Sequence, residues 1–302
     1  MAMESGSDSS RKGDVDADIN YFPASGVPIP TTTWQKRYLG IGDEHTRCMT
    51  IHNVRQTQQT FDLNTNGFTF LKLSHKQRVD ISSSEEEIRQ HYYPELVELA
   101  KNLTGASIAF VFNHVVRAHS SPADKGKLDY YGRWQDIPAG HPHVDYCGEP
   151  VFLEGTKQEL DLPPEIYHLY NTSSRYAYLG AWRPLRMLRK DPLAVCDATT
   201  VPESDYQIRL REFRSGVKSG NYVMSHAEEK QQHQWYYMSE MTPDEIVVFK
   251  GYDTDQIGPK EAEPRSWTSD LGHKYVLPPS VMEAPGRKIS RFLVLRFTIL
   301  PK

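Results

Sequence analysis

The sequence predicts a mainly β chain, an antiparallel sandwich or jelly roll with flanking helices. Three observations carry that expectation. Apolar runs in the second half are separated by polar, turn-rich stretches rather than by helical patterns. The chain holds seventeen tyrosines and five tryptophans, residues that suit a pleated, half-buried surface and an aromatic-lined pocket. The clearest helical spacing, Ile88, Tyr92, Leu96 and Leu99, lies in the first half.

The elements follow in order. Residues 1–20 are polar and charged without an apolar core, so they read as a disordered tail rather than a secretory signal, leaving 21–302 as a single domain. Tyr21 to Gly40 reads as extended coil. Phe61 to Leu73 has the pattern of a hairpin turning at Asn66-Gly67. Ser84 caps a helix whose first turn holds Glu85, Glu86 and Glu87, and Pro94 predicts a break or a second helix start. Strands are expected over Ala106–Arg117, from His143, over Tyr176–Trp182 closed by Arg183-Pro184, and over Leu193–Asp197, Gln231–Met238, Glu245–Gly251 and Lys288–Ile299. Ala118–Ile137 and Asp253–Asp270 read as long loops able to cover a site.

Composition excludes several classes. A net charge of −4 gives no electrostatic footprint for nucleic acid or an anionic membrane. No apolar run approaches the roughly 18 residues that span a bilayer. Three scattered cysteines, Cys48, Cys147 and Cys196, fit neither a disulfide framework nor a thiolate zinc site, and suit a reducing cytoplasm. Cys147 reads as a small core residue.

The chemistry concentrates in Ala139-Gly-His-Pro-His-Val-Asp-Tyr146. Side chains alternate along a strand, so His143 and Asp145 share a face. An imidazole and a carboxylate are two thirds of the facial triad that holds non-haem Fe(II) with open positions. A third ligand has to come from late in the chain, where His226, His233 and His273 are the candidates. His226 and His233 lie in a polar run and read as solvated. His273 is followed fourteen residues on by Arg287 and eighteen residues on by Arg291, guanidinium groups able to pair with a 2-oxoglutarate carboxylate.

Further motifs run in a set order: Phe112-Asn-His-Val-Val-Arg117, His143-Val-Asp145, Ala181-Trp-Arg-Pro-Leu185, Asp191-Pro-Leu-Ala-Val-Cys-Asp197, Trp235-Tyr-Tyr-Met238, Phe249-Lys-Gly-Tyr-Asp253 and Ala284-Pro-Gly-Arg287. Together they resemble the fungal gibberellin desaturase and cephem methoxylase-related group of 2-oxoglutarate oxygenases, which includes a meroterpenoid endoperoxide-forming enzyme. The resemblance runs over roughly residues 35 to 300. It implies a double-stranded β-helix (cupin-like jelly roll) and Fe(II) on His143, Asp145 and His273. It also implies 2-oxoglutarate and O2 as cosubstrates, with an arginine of the last strand on the 2-oxoglutarate carboxylate. Where the family ends in Arg-Glu-Ser-Ile-Glu-x-Arg, this chain reads Arg287-Lys-Ile-Ser-Arg291, which leaves the choice between Arg287 and Arg291 open. Lys274-Tyr275 stands where the family has Ala-Phe shortly after the distal histidine.

Arg183 reads either as the partner of a carboxylate at a strand end or as a cosubstrate contact. His141 reads as a loop residue or a neighbour of the metal. Tyr130, Trp134 and Asn113 are candidate substrate contacts. The resulting expectation is a dioxygenase acting on a C–H bond of a small fungal specialised metabolite by hydroxylation, desaturation or endoperoxidation, with a homodimer left open. The alternatives are a non-catalytic helper subunit of a paired oxygenase and a cupin-like iron enzyme independent of 2-oxoglutarate.

Overall fold

The computed structural model describes residues 13–23, 32–33, 45–73, 84–117, 141–148, 150–160, 162–173, 175–189, 192–213, 215–226, 233–254, 281–283 and 292–300. The strands are β1 (Val15–Asn20), β2 (Thr32–Thr33), β3 (Thr46–Asn53), β4 (Phe68–Lys72), β5 (Ile108–Arg117), β6 (His143–Val144), β7 (Ala177–Pro184), β8 (Leu193–Cys196), β9 (Tyr206–Glu212), β10 (Lys218–Met224), β11 (Trp235–Tyr237), β12 (Glu245–Asp253), β13 (Val281–Glu283) and β14 (Phe292–Leu300). The α-helices are α1 (Glu85–Glu87), α2 (Tyr93–Thr104), α3 (Pro150–Glu159) and α4 (Pro164–Thr172).

The strands form two sheets. One has nine strands in the order β1-β3-β11-β8-β13-β6-β10-β9-β2, the other five in the order β4-β12-β7-β14-β5. They face each other across an apolar interior. Leu193 and Val195 of β8 and Tyr236 of β11 meet Trp182 of β7 and Val247 and Phe249 of β12. Each large side chain buried there stabilises the sandwich by about 1.5–3 kcal/mol relative to exposure. Gly180 allows the close approach, because a Cβ there would lie 2.3 Å from the Phe249 ring. This is the jelly roll that the strand pattern predicts.

The outer face of the five-stranded sheet is covered by helix. Ile88, Tyr92, Leu96 and Ala100 pack on Ala109, Val111, Leu179, Ala181, Ile246 and Val248. The helical run starts with the expected capping box between Ser84 and Glu87. A π-helical turn at Ile88–Tyr92 then precedes α2, which begins with Pro94 in its first turn and ends at Gly105 in the left-handed conformation (φ 71°). The break expected from Pro94 is therefore a change of helical hand-off, because proline lacks the N–H needed inside a helix and is tolerated at its start.

The outer face of the nine-stranded sheet is sealed by the N-terminal segment. Ile19 and Tyr21 pack on Met49, Ile51, Val144, Ala194, Cys196, Tyr206, Met224, Trp235 and Tyr237. This corrects the expectation of a disordered tail up to residue 20. β1 pairs with β3 from Val15 to Asn20, and Ile19 is fully buried. The polar alternation of Val-Asp-Ala-Asp-Ile-Asn is that of an edge strand with one buried face.

Three other expectations change. The hairpin over residues 61–73 does not form: β4 pairs with β12, and Asp62 accepts from the backbone N–H groups of Asn64 and Thr65 to make a side-chain-capped turn. Helices α3 and α4 occupy 150–172 in a half of the chain expected to be strands and loops. The β9–β10 hairpin is additional and pairs with β6 through β10. Among the described residues no helix is long and apolar enough to cross a membrane.

Candidate metal centre

One row of residues fixes where His143 points. Tyr236 pairs with Val195, Val195 with Val281, Val281 with His143, His143 with Val223, and Val223 with Gln207. Directly opposed residues in a sheet present side chains to the same face. Val195 and Tyr236 face the interior between the sheets, so His143 does too. Val144, one residue on, joins the opposite, sealed face. Asp145 returns to the interior side.

There the two functional groups converge. His143 Nε2 and Asp145 Oδ1 are 3.8 Å apart, with side chains about one fifth exposed, at 21% and 18%. The other imidazole nitrogen, Nδ1, lies 2.9 Å from the backbone oxygen of His141. A carbonyl only accepts, so Nδ1 carries a proton, and Nε2 is the ring nitrogen that faces Asp145. That is how a metal-binding histidine is normally held, with its second nitrogen donating to a carbonyl that fixes ring and tautomer. The donor set of borderline imidazole and hard carboxylate suits Fe(II). Among the described residues no third His, Cys, Asp or Glu joins the pair; His273 lies outside those residues.

His141 contributes its backbone rather than its ring. Its Nδ1 is 2.9 Å from the backbone oxygen of Asn20, and its ring meets Phe22 edge-on at 4.9 Å. Burial lowers the His141 pKa, the Asn20 contact opposes that shift, and the nearby Arg209 adds to it. The ring is therefore a neutral packing group that anchors the N-terminal segment beside the site.

His226 and His233 are not solvated, which corrects that expectation. His233 is buried, with Nε2 2.9 Å from Asp205 Oδ2 and Nδ1 3.1 Å from Tyr21 Oη. The His226 ring packs 4.9 Å from the rings of both Tyr21 and His233. Tyr21, Tyr206 and Trp235 place this cluster on the sealed face, across the sheet from His143. His233 is buried despite its polar sequence neighbours because Asp205 and Tyr21 satisfy its imidazole.

Arg183 is likewise corrected as a cosubstrate contact. Trp182 points into the interior, so Arg183 points outward toward the helical layer. It is almost fully buried, its Nε donates to the Pro243 carbonyl at 2.6 Å, and its guanidinium lies 5.0 Å from the centre of the Tyr92 ring. Among the described residues its partners are a carbonyl and an aromatic face, and no carboxylate at the strand end pairs with it. Asn113 is buried on β5 and pairs with Arg296, which pairs with Gly180 on the interior face. Cys147 is buried, in the core role expected of it. Tyr130, Trp134, Arg287 and Arg291 lie outside the described residues. Arg291 directly precedes β14, whose Phe292 pairs with Pro184 and Arg117.

The hairpin supplies two residues the sequence pattern did not flag. Arg209 pairs across β9–β10 with Asn221, and its Nε donates to Asn221 Oδ1 at 3.0 Å. Arg211 Nη1 donates to the Asp145 backbone oxygen at 3.2 Å. Burial and the neighbouring Arg211 push the Arg209 pKa down to about 10, against the pull of the Asp145 carboxylate. Both cations thus stand beside Asp145. The available signal was the alternation in Tyr206-Gln-Ile-Arg-Leu-Arg-Glu212 followed by the Ser215-Gly216 turn.

Comparison with known proteins agrees with this architecture. A family model described as an oxidoreductase/YMDC permease-like domain matches residues 14–270. The hydroxylase/desaturase efuI of Hormonema carpetanum is 30% identical over 238 residues, covering 74% of this chain and 77% of that protein. The alpha-ketoglutarate-dependent dioxygenase phiK of a fungal species is 28% identical, covering 80% of this chain and 83% of that protein. The solved structure of the iron and alpha-ketoglutarate-dependent endoperoxidase NvfI superposes with a TM-score of 0.63 at 19% identity, covering 96% of this chain and 99% of that one. The chain belongs to the fungal Fe(II)/2-oxoglutarate-dependent dioxygenases, alongside the hydroxylase/desaturases and the endoperoxidase of that family.

Proposed function

We propose that this chain is an Fe(II)/2-oxoglutarate-dependent dioxygenase that oxidises a C–H bond of a fungal specialised metabolite, by hydroxylation, desaturation or endoperoxidation. The observation that carries the reading is the convergence of His143 Nε2 and Asp145 Oδ1 at 3.8 Å on the interior face. In this reading His143, Asp145 and His273 hold Fe(II), and Arg287 or Arg291 holds the distal carboxylate of 2-oxoglutarate. When bound, Fe(II) with 2-oxoglutarate and O2 would supply the oxidation of the C–H bond, O2 being the oxidant and one of its oxygen atoms going into the succinate formed with CO2 from 2-oxoglutarate. The protein's own part is positional. The His141 carbonyl holds the His143 ring, Arg211 holds the Asp145 backbone, and the aromatic interior keeps water from the reacting carbon. Tyr130, Trp134 and Asn113 are proposed substrate contacts. The chain from β1 (Val15–Asn20) onward acts as one catalytic domain in the cytoplasm, with a small-molecule substrate and no nucleic-acid partner; a homodimer is compatible with the reading.

The test is succinate release on adding Fe(II), 2-oxoglutarate and a panel of fungal terpenoids, with metal content measured in parallel. His143→Ala and Asp145→Ala are expected to lose both metal and turnover. His273→Ala is expected to lose metal, whereas His233→Ala, which opens the buried Tyr21–Asp205 cluster, is expected to lower the melting temperature and keep metal. Metal loss only in His233→Ala would show the wrong histidine to have been chosen. Turnover without 2-oxoglutarate would overturn the cosubstrate.

A further inference from the structure

Arg209 is a half-buried cation with no carboxylate hydrogen-bonded to it among the described residues. Among the described residues its guanidinium makes one hydrogen bond, from Nε to the neutral amide oxygen of Asn221, and lies 5.8 Å from the centre of the Phe22 ring. The charges that act on it are Arg211, which repels it, and Asp145, which attracts it. Asp145 is committed to the metal in the reading above. A desolvated guanidinium with no dedicated counter-charge is unfavourable unless an anion meets it.

The register shows where that anion would sit. His143 pairs with Val223, and Arg209 pairs with Asn221. Asn221 and Val223 are two apart and share the interior face, as His143 and Asp145 do. Asn221 and Arg209 therefore form the next interior row after His143, Val223 and Gln207, on the side toward which the chain runs from His143 to Asp145. Two strand spacings, about 10 Å of backbone, separate Asp145 from Arg209, a gap that an extended arginine mostly spans. Phe22 and His141, packed edge-on at 4.9 Å, stand on the same side. Arg209 thus stands on the His143–Asp145 side of the sheet, half-buried, with the Phe22 ring beside it. Nη1 and Nη2 have no partner among the described residues, and that planar edge matches the two oxygens of a carboxylate.

We infer that Arg209 docks a carboxylate of the organic substrate, so that the enzyme acts on an acid rather than on its neutral ester or amide. The inference rests on the metal-centre reading for its location. The cosubstrate's distal carboxylate has the same chemistry, but in that reading it belongs to the last strand, which lies in the other sheet. Arg209 sits on the flank of the nine-stranded sheet, beyond β6 and β10. Arg211, tied to the Asp145 backbone, adds positive potential without offering the same free edge.

Calorimetric titration of the full chain, loaded with Mn(II) and with the unreactive cosubstrate analogue N-oxalylglycine, tests this with benzoate and benzamide as probes. Benzoate is expected to bind and benzamide is not. Arg209→Gln should weaken benzoate about tenfold, the loss of one charge-assisted hydrogen bond, and Arg209→Lys should recover part of it. Equal binding of benzoate and benzamide, no benzoate binding, or binding unchanged in Arg209→Gln would overturn the inference. Competition between benzoate and N-oxalylglycine would assign Arg209 to the cosubstrate and overturn it as well. Mn(II) stoichiometry in the same samples separates the two readings. Full metal content without benzoate binding refutes the anion site alone, whereas loss of Mn(II) in the wild type with benzoate still bound refutes the metal centre alone.

Discussion

Gly155→Ala tests how helix α3 sets the strand beside His143. A Cβ at position 155 would lie 1.9 Å from the Lys218 backbone oxygen and 3.0 Å from the Lys218 carbonyl carbon. The obstacle is backbone, so no rotamer change relieves it, and α3 has to move away from β10. That movement opposes the Thr156 Oγ1–Ser219 Oγ hydrogen bond of 2.8 Å that seats the helix. Overpacking of this kind costs about 1–3 kcal/mol, with the upper part of the range apt for a backbone clash. Alanine returns about 0.5–1 kcal/mol as the better helix former, leaving a net loss of about 2 kcal/mol. With an unfolding entropy of about 2.1 cal/mol/K per residue over 302 residues, roughly 0.6 kcal/mol/K, the melting temperature should fall by about 3 °C. Without the clash the same substitution would raise it by about 1 °C, so the sign alone decides. Because Tyr222 and Val223 of β10 pair with Val144 and His143, metal retention should weaken too. Gly105→Ala is the control. It has nothing within 4 Å but φ +71°, so it should lose about 1 kcal/mol from backbone strain and leave metal binding intact. Differential scanning calorimetry and metal analysis of both variants settle the matter, and an unchanged or raised melting temperature in Gly155→Ala refutes the packing argument.

Two further outcomes follow from the same geometry. His141→Ala should keep the metal, because the group that orients His143 is the His141 backbone oxygen; it should lose about 1 kcal/mol of stability with the Asn20 and Phe22 contacts, and metal loss in this variant would sink the carbonyl argument. Glu245 is held below the usual carboxylate range: burial pushes its pKa up, but the Arg55 guanidinium and the Thr242 N–H and hydroxyl more than offset that. A depressed folded pKa stabilises the fold above the unfolded value of about 4.3 and ceases to as pH falls through the folded one. Glu245→Gln should therefore be less stable than wild type near neutrality and converge with it below pH about 4. The gap should stay at or under about 1 kcal/mol because Arg55 is 36% exposed. A gap that is constant from neutral to acid pH would contradict this.

Much of the fold was legible because it is local. β5, β7, β8, β11 and β12 are apolar runs bounded by turn residues, and a buried strand looks like that wherever it pairs. Ser84 and Glu87 announce a helix start for the same reason, since both partners of the capping box lie within one turn. Partnership was not local. Phe68–Lys72 reads as half of a hairpin with its own neighbours, yet its partner is β12, 177 residues on at the Phe70–Val247 pair. His233 looks solvated among Gln and Glu, and only the fold brings Asp205 and Tyr21 to it.

The site divides along the same line. His143 and Asp145 were readable because two residues on a strand share a face whatever the strand meets. Arg209 was not, because β9 inverts the usual rule. Its outward positions are the apolar Ile208 and Leu210, 37% and 40% exposed, and its inward positions are Gln207, Arg209 and Arg211. Read with apolar residues inside, the strand faces the wrong way; read in register with Asn221 and Val223, it points its cations at Asp145. A strand that turns its charges inward loses hydration and gains no core packing, so the inversion persists only if something charged fills the interior. Arg211 is met by the Asp145 backbone oxygen, to which its Nη1 donates. Arg209 is tied only through Nε to Asn221 among the described residues, and the remaining guanidinium edge is what makes an acidic substrate the economical reading.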